Sequence, residues 1–141
     1  EAGMPLYGHE LDETIDPITA GLDFAVTLNK DEMEQGEPFV GQDALKKIAA
    51  AGPTRRRVGL KINGKRTARQ GMELLKGDKP VGHITSGCVS PTLGYPIAMG
   101  YVDTDAGEVG QTLAVKLGST GVDAQITRLP FYQAPKPVIS G

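Results

Sequence analysis

The sequence predicts an α+β chain in which a short N-terminal α/β segment leads into a mainly antiparallel six-stranded β-barrel. Three observations carry this. One helical pattern ends sharply at Ala51-Gly52-Pro53. Beyond it, short apolar runs recur at roughly ten-residue spacing with no helical pattern between them. Gly supplies 19 of the 141 residues, nearly twice the usual ~7%, so the chain turns often.

Taken in order, residues 1–53 form one unit and residues 54–141 a second. In the first, Leu22 to Leu28 (LDFAVTL) alternates well enough for a strand, while Pro5, Gly8, Asp16-Pro17 and Gly36 divide the remainder into loops. Residues 41–51 (GQDALKKIAAA) are good helix formers, place Ala44, Leu45, Ile48 and Ala49 on one face, and stop at Gly52-Pro53. In the second unit, strands are expected over 56–62, 71–76, 80–86, 96–102, 111–117 and 121–128. Asn63-Gly64, after Val58, Leu60 and Ile62, reads as a hairpin turn, as do Gly77-Asp78 and Gly118-Ser119-Thr120-Gly121. Six short strands without intervening helices imply an antiparallel barrel or sandwich, which removes the open edges of a flat sheet; of the two, the barrel is the expectation. The Pro-rich tail from Pro130 to Gly141 is expected along a surface.

Apolar residues and glycine together make up about half of the chain, the ordinary globular share, which excludes disorder as a class. A single Cys excludes an internal disulfide framework and a Cys-built zinc site, and two His, at 9 and 83, argue against a His-built metal site; no metal is expected. No run approaches the ~20 apolar residues of a membrane span, so no membrane association is expected. The chain opens at Glu1 with no initiator Met, which leads to the expectation of a missing N-terminal portion.

The net charge of −2 conceals a division. Residues 1–45 carry eleven acids against Lys30 alone, whereas residues 55–79 carry nine bases against Glu73 and Asp78. A basic block suggests nucleic acid, yet no aromatic residue lies between Phe39 and Tyr95 to stack a base, so no nucleic-acid partner is expected. A solvated strand face, a small polyanion or an acidic partner surface remain open.

Local chemistry motifs are weak. Gly59 to Lys65 (GLKINGK) nearly spells a phosphate-binding loop, but Arg66 occupies the Ser/Thr position and no helix follows. His83 and Cys88 stand five residues apart, so a regular strand would turn them to opposite faces and deny the thiol its base. His9 lacks companions at metal-ligand spacing. The acids of residues 1–45 are too many for spacing alone to select a catalytic pair.

Eight phrases in order change this position: residues 1–11 (EAGMPLYGHEL), the run from Gly21 to Lys30, 39–45 (FVGQDAL), 56–60 (RRVGL), 81–87 (VGHITSG), 90–94 (SPTLG), 97–102 (IAMGYV) and 129–132 (LPFY). Together they resemble the C-terminal part of the aminomethyltransferase, or T-protein, of the glycine cleavage system, across essentially the whole chain. The resemblance implies tetrahydrofolate as a substrate and, as partner, a lipoylated H-protein that carries the aminomethyl group. The products implied are methylene-tetrahydrofolate, ammonia and the dihydrolipoyl carrier. It also implies a bacterial cytoplasmic location, or the mitochondrial matrix for a eukaryotic source.

By the same resemblance, Glu1 matches a carboxylate that recognises the pterin. A carboxylate accepts two parallel bonds from a ring N–H and an amino group. Lys30 stands where relatives carry an Arg that meets the folate's glutamate; it keeps the charge and loses the bidentate fork. Arg69 matches an Arg of the barrel, where the alternatives are a contact with the folate's anionic tail and a structural salt bridge; Tyr132 stands either at the border of the cavity or, as the favoured alternative, packed in the core. The family's catalytic Asp belongs to the N-terminal portion, so no catalytic residue is expected in this chain and the fragment alone is expected to be inactive. Two related readings remain: a folate domain of a dimethylglycine- or sarcosine-type enzyme, which the upstream sequence would reveal, and a non-catalytic folate binder of the kind assisting iron–sulfur assembly. The latter kind carries a cysteine motif that Cys88 does not reproduce.

Overall fold

The computed structural model describes residues 1–118 and 120–135. The expected six strands form a closed antiparallel barrel: β1 (Arg55–Ile62), β2 (Glu73–Lys76), β3 (Lys79–Val89), β4 (Pro96–Asp103), β5 (Thr112–Leu117) and β6 (Thr120–Thr127). Around the barrel the order is β1-β4-β3-β2-β5-β6. The helix expected at 41–51 is α1 (Gln42–Ala51), entered from Gly41 at φ 89° and ended at Gly52 at φ 77°. Both glycines hold a backbone conformation that side chains disfavour.

Alternation explains the interior. In β1, Val58, Leu60 and Ile62 point into the barrel, where they pack with Leu74, Ile84, Ala98, Val102, Leu113, Val115 and Ile126. β4 is buried on both faces. Ala98 and Val102 belong to the interior cluster, whereas Ile97 and Tyr101 are buried outside it. The outer face of β4 is covered by the N-terminal segment: Tyr101 donates its hydroxyl to the carbonyl of Glu10 at 2.9 Å. From β1, Arg57 donates to the carbonyls of Ala20 at 2.9 Å and Gly3 at 2.6 Å. The segment before the barrel is thus strapped to its outside.

Three local expectations are corrected. Leu22 to Leu28 is not a strand. Asp23–Ala25 forms a 3-10 turn, with Ala25 N–H bonded to Leu22 O and Val26 N–H to Asp23 O; the barrel is closed, so no strand edge remains for an alternating segment to join. Asn63-Gly64 does not turn β1 into a hairpin with the next strand. β1 pairs with β4 and β6, and Asn63 N–H bonds to Asp123 O at 2.8 Å, after which the chain crosses to β2 on the other side of the barrel. Gly77-Asp78, by contrast, joins β2 and β3 as expected, with Lys76 opposite Lys79.

The third correction concerns His83 and Cys88. A bulge between Ile84 and Ser86 inserts Thr85 as an extra residue, so His83 faces Tyr101, Ser86 faces Met99 and Cys88 faces Ile97. These partners alternate along β4, which places His83, Ser86 and Cys88 on one outer face rather than on two. Of the tail expected along a surface, residues 136–141 lie outside the described residues.

Candidate functional site

The outer face of β3 and β4 and the N-terminal segment enclose a groove of about 310 Å³, to which Glu1, Gly3 and Met4 contribute from the segment, Gly87 and Cys88 from β3, Ile97 and Met99 from β4, and Phe131 from the stretch after β6. Its lining is mostly apolar with one carboxylate. Such a setting suits a flat heterocycle fixed by a few polar contacts.

Glu1 is that carboxylate. Its Oε1 accepts from the Ser90 hydroxyl and from Thr92 N–H at 2.8 Å, and its Oε2 accepts from the Thr92 hydroxyl at 2.9 Å. The Ser90 hydroxyl also accepts from Leu93 N–H at 3.0 Å, so the turn after β3 fixes the group that holds the acid. These bonds, that from Ser90 foremost, hold the Glu1 carboxyl below its ordinary value of 4.5. The backbone of Glu1 is fixed as well, since its carbonyl accepts from Phe131 N–H at 2.9 Å and Tyr132 N–H at 3.3 Å. A carboxylate offers about four acceptor positions. Three are filled, which leaves one on Oε2, and two parallel bonds to a ligand require one present donor to yield.

A second, wider cleft of about 520 Å³ adjoins the groove and shares Gly87 and Cys88 with it. Lys65, Arg66 and Arg69 line it with Thr67 and Val89. None of these three cations forms an ion pair among the described residues, where the pairs present are Lys46 with Asp31 and Glu32, Arg55 with Asp103, and Lys116 with Glu73. The basic block of the sequence is therefore not ion-paired with the acidic one among the described residues, and three of its nine bases line the cleft beside the groove.

The remaining sequence candidates fall elsewhere. Lys30 begins a 3-10 turn (Lys30–Glu32), is exposed, and lines neither cavity. Tyr132 is 41% exposed and lines neither; its neighbour Phe131 is the aromatic residue at the groove. His9 is exposed, with Nδ1 3.2 Å from Thr85 O. Glu10 escaped sequence reasoning altogether. It is fully buried, and its Oε1 accepts from the hydroxyls of Thr85 and Ser86, both at 2.6 Å. As one of eleven acids in its segment it carried nothing in sequence to mark it; only the fold shows which acid is taken out of water.

Comparison with known proteins decides the family. The family model described as the glycine cleavage T-protein C-terminal barrel domain matches residues 55–133. The chain belongs to the glycine cleavage T-protein family. Among curated relatives of this family, the aminomethyltransferase of Prochlorococcus marinus (strain MIT 9303) is 42% identical over 135 residues, which are 96% of this chain and 35% of the relative. That of Cutibacterium acnes is 44% identical over 133 residues, 94% of this chain and 34% of the relative. The chain thus spans about a third of the length of these relatives. The crystal structure of glycine cleavage system aminomethyltransferase T from Bartonella henselae superposes with a TM-score of 0.84 at 31% identity, covering 93% of this chain and 36% of that one. The family barrel is the six-stranded barrel described above, and the groove lies on its outer face.

Proposed function

We propose that this chain is the C-terminal portion of a tetrahydrofolate-dependent aminomethyltransferase of the glycine cleavage system. The whole protein would pass the methylene carbon of an aminomethyl group, carried on the lipoyl arm of an H-protein, to tetrahydrofolate with release of ammonia. Its setting would be the bacterial cytoplasm. The observation that carries this reading is the Glu1 carboxylate, held by Ser90 and Thr92 at an apolar groove that opens into a cation-lined cleft.

In this reading Glu1 accepts from the N–H groups of the pterin, Ile97, Met99 and Phe131 cover its faces, and Arg69 with its basic neighbours meets the anionic end of the folate. Lys30, exposed on the 3-10 turn, supplies a further charge to that end only when the missing N-terminal portion brings the ligand to it. The proton-handling acid comes from that same portion, which leaves binding and orientation to this chain.

The test restores the N-terminal portion and follows methylene-tetrahydrofolate formed from tetrahydrofolate and an aminomethyl-loaded lipoyl carrier. Formation at an enzymic rate is expected. Its absence from a folded protein that still binds folate would move the reading to a non-catalytic folate binder or to another methyl donor.

A further inference from the structure

Glu10 presents a problem that the folate reading does not use. A carboxylate buried without a cation is costly unless its oxygens are fully hydrogen-bonded. Among the described residues no ion pair reaches Glu10, and its exposure is 0%. Its oxygens are satisfied instead by three neutral donors: the Thr85 and Ser86 hydroxyls on Oε1, and Leu6 N–H at 3.0 Å on Oε2.

Consecutive side chains of a regular strand point to opposite faces, so Thr85 and Ser86 could not both reach one oxygen. The β3 bulge, which admits Thr85 as an extra residue, is what turns both hydroxyls to Glu10. The two ends of the contact then have different fates. Thr85 is buried, whereas Ser86 also lines the groove beside Glu1. The backbone around the acid is fixed from other directions as well, by Tyr101 on Glu10 O at 2.9 Å and by Glu10 N–H on Leu6 O at 2.9 Å. The short loop from Leu6 to Leu11 is therefore closed on itself by Glu10 and riveted to β3 and β4 by the same residue.

We infer that Glu10 is a positioning residue for the ligand groove: through Thr85, Ser86 and Leu6 N–H it holds the N-terminal segment on the barrel so that Glu1 stands at the groove in its binding orientation. The inference rests on the reading of Glu1 as a folate-binding group. Loss of the Glu10 charge loosens residues 2–11 and weakens folate through Glu1, without altering the barrel interior, which Glu10 does not enter.

The experiment uses the full-length protein with Glu10→Gln, Glu1→Gln and both together. Hydrogen exchange of the amides of residues 2–11 is read first and needs no ligand. Exchange about tenfold faster in Glu10→Gln, with β1 and β5 unchanged, is expected; unchanged exchange there overturns the clamp. Tetrahydrofolate affinity is read second. A loss of about tenfold is expected for Glu10→Gln, seen as a raised KM with kcat nearly constant. In the Glu1→Gln background the same substitution costs much less, because one acts through the other. Fully multiplicative losses overturn action through Glu1. If Glu1→Gln alone leaves affinity unchanged, the folate reading of Glu1 fails while the exchange result still decides the clamp. Should Glu10→Gln not fold, Thr85→Val removes one donor at a buried residue that does not line the groove and is read in the same way, with smaller shifts in the same direction.

Discussion

Thr92 grips both oxygens of Glu1, its backbone N–H reaching Oε1 at 2.8 Å and its hydroxyl reaching Oε2 at 2.9 Å, across 91 positions of sequence. Ser90 adds a second donor to Oε1. The two hydroxyls therefore have separable effects in the full-length protein. Ser90→Ala removes the main hydrogen bond orienting the acid and is expected to weaken tetrahydrofolate by about three- to tenfold. Thr92→Val frees Oε2 for a ligand donor and should change affinity by less than about threefold. Equal losses in both variants would show that Glu1 is a structural acid. The pH dependence follows from the lowered Glu1 pKa: the contact contributes above the ordinary 4.5 and is lost as pH falls through the folded value. An NMR titration of the Thr92 amide should therefore show its midpoint below 4.5.

His83 gives a second pH prediction of its own. Its ring lies 6.4 Å from that of Tyr101. Burial foremost, and then the Arg55 charge, lower its pKa from 6.5. The folded protein thus binds fewer protons at this site than the unfolded chain, and stability falls as pH drops through the ordinary value. His83→Gln should flatten the denaturation midpoint between about pH 7 and pH 5. An identical slope in the variant and the parent would remove His83 as the source.

How far the sequence could anticipate this depends on whether a feature is local. The alternation of Val58, Leu60 and Ile62 and the glycine-marked gaps between strands are local, and they place the barrel's strands within one or two residues at most ends. Asn63-Gly64 shows the limit. A hairpin needs a neighbour, and both sides of β1 are taken by β4 and β6, a choice made by closure and not by the turn. The bulge at Thr85 is hidden for a different reason: neither Gly nor Pro marks it, yet it changes which face Cys88 occupies and creates the Glu10 contact. Only the resemblance singled out Glu1; Ser90 and Thr92, which hold it, lie in residues 90–94 but show that contact only when the turn after β3 meets the N-terminal segment.

Gly87 lies at the wall between the groove and the basic cleft. A Cβ built there collides with the carbonyl oxygen of Ala68, which is backbone and cannot swing away. Gly87→Ala should cost about 1–3 kcal/mol of stability, the usual range for forced overpacking. It should shift the denaturant midpoint at constant m. A midpoint equal to that of the parent would mean that the loop carrying Ala68 moves aside freely.

Cys88 offers the most direct chemical probe of the site. The thiol is free and exposed, and it lines both the groove beside Glu1 and the cleft beside Arg69. A maleimide added to it would occupy the boundary between the two and obstruct any ligand that runs from one to the other. In the full-length protein, labelling should abolish tetrahydrofolate binding, and saturating tetrahydrofolate should slow the labelling. Cys88→Ser should bind folate normally and be indifferent to the reagent, which separates obstruction at this position from damage elsewhere. Rapid labelling that leaves folate affinity intact would place the ligand away from this face of the barrel, and would remove Glu1 and Arg69 from the site together.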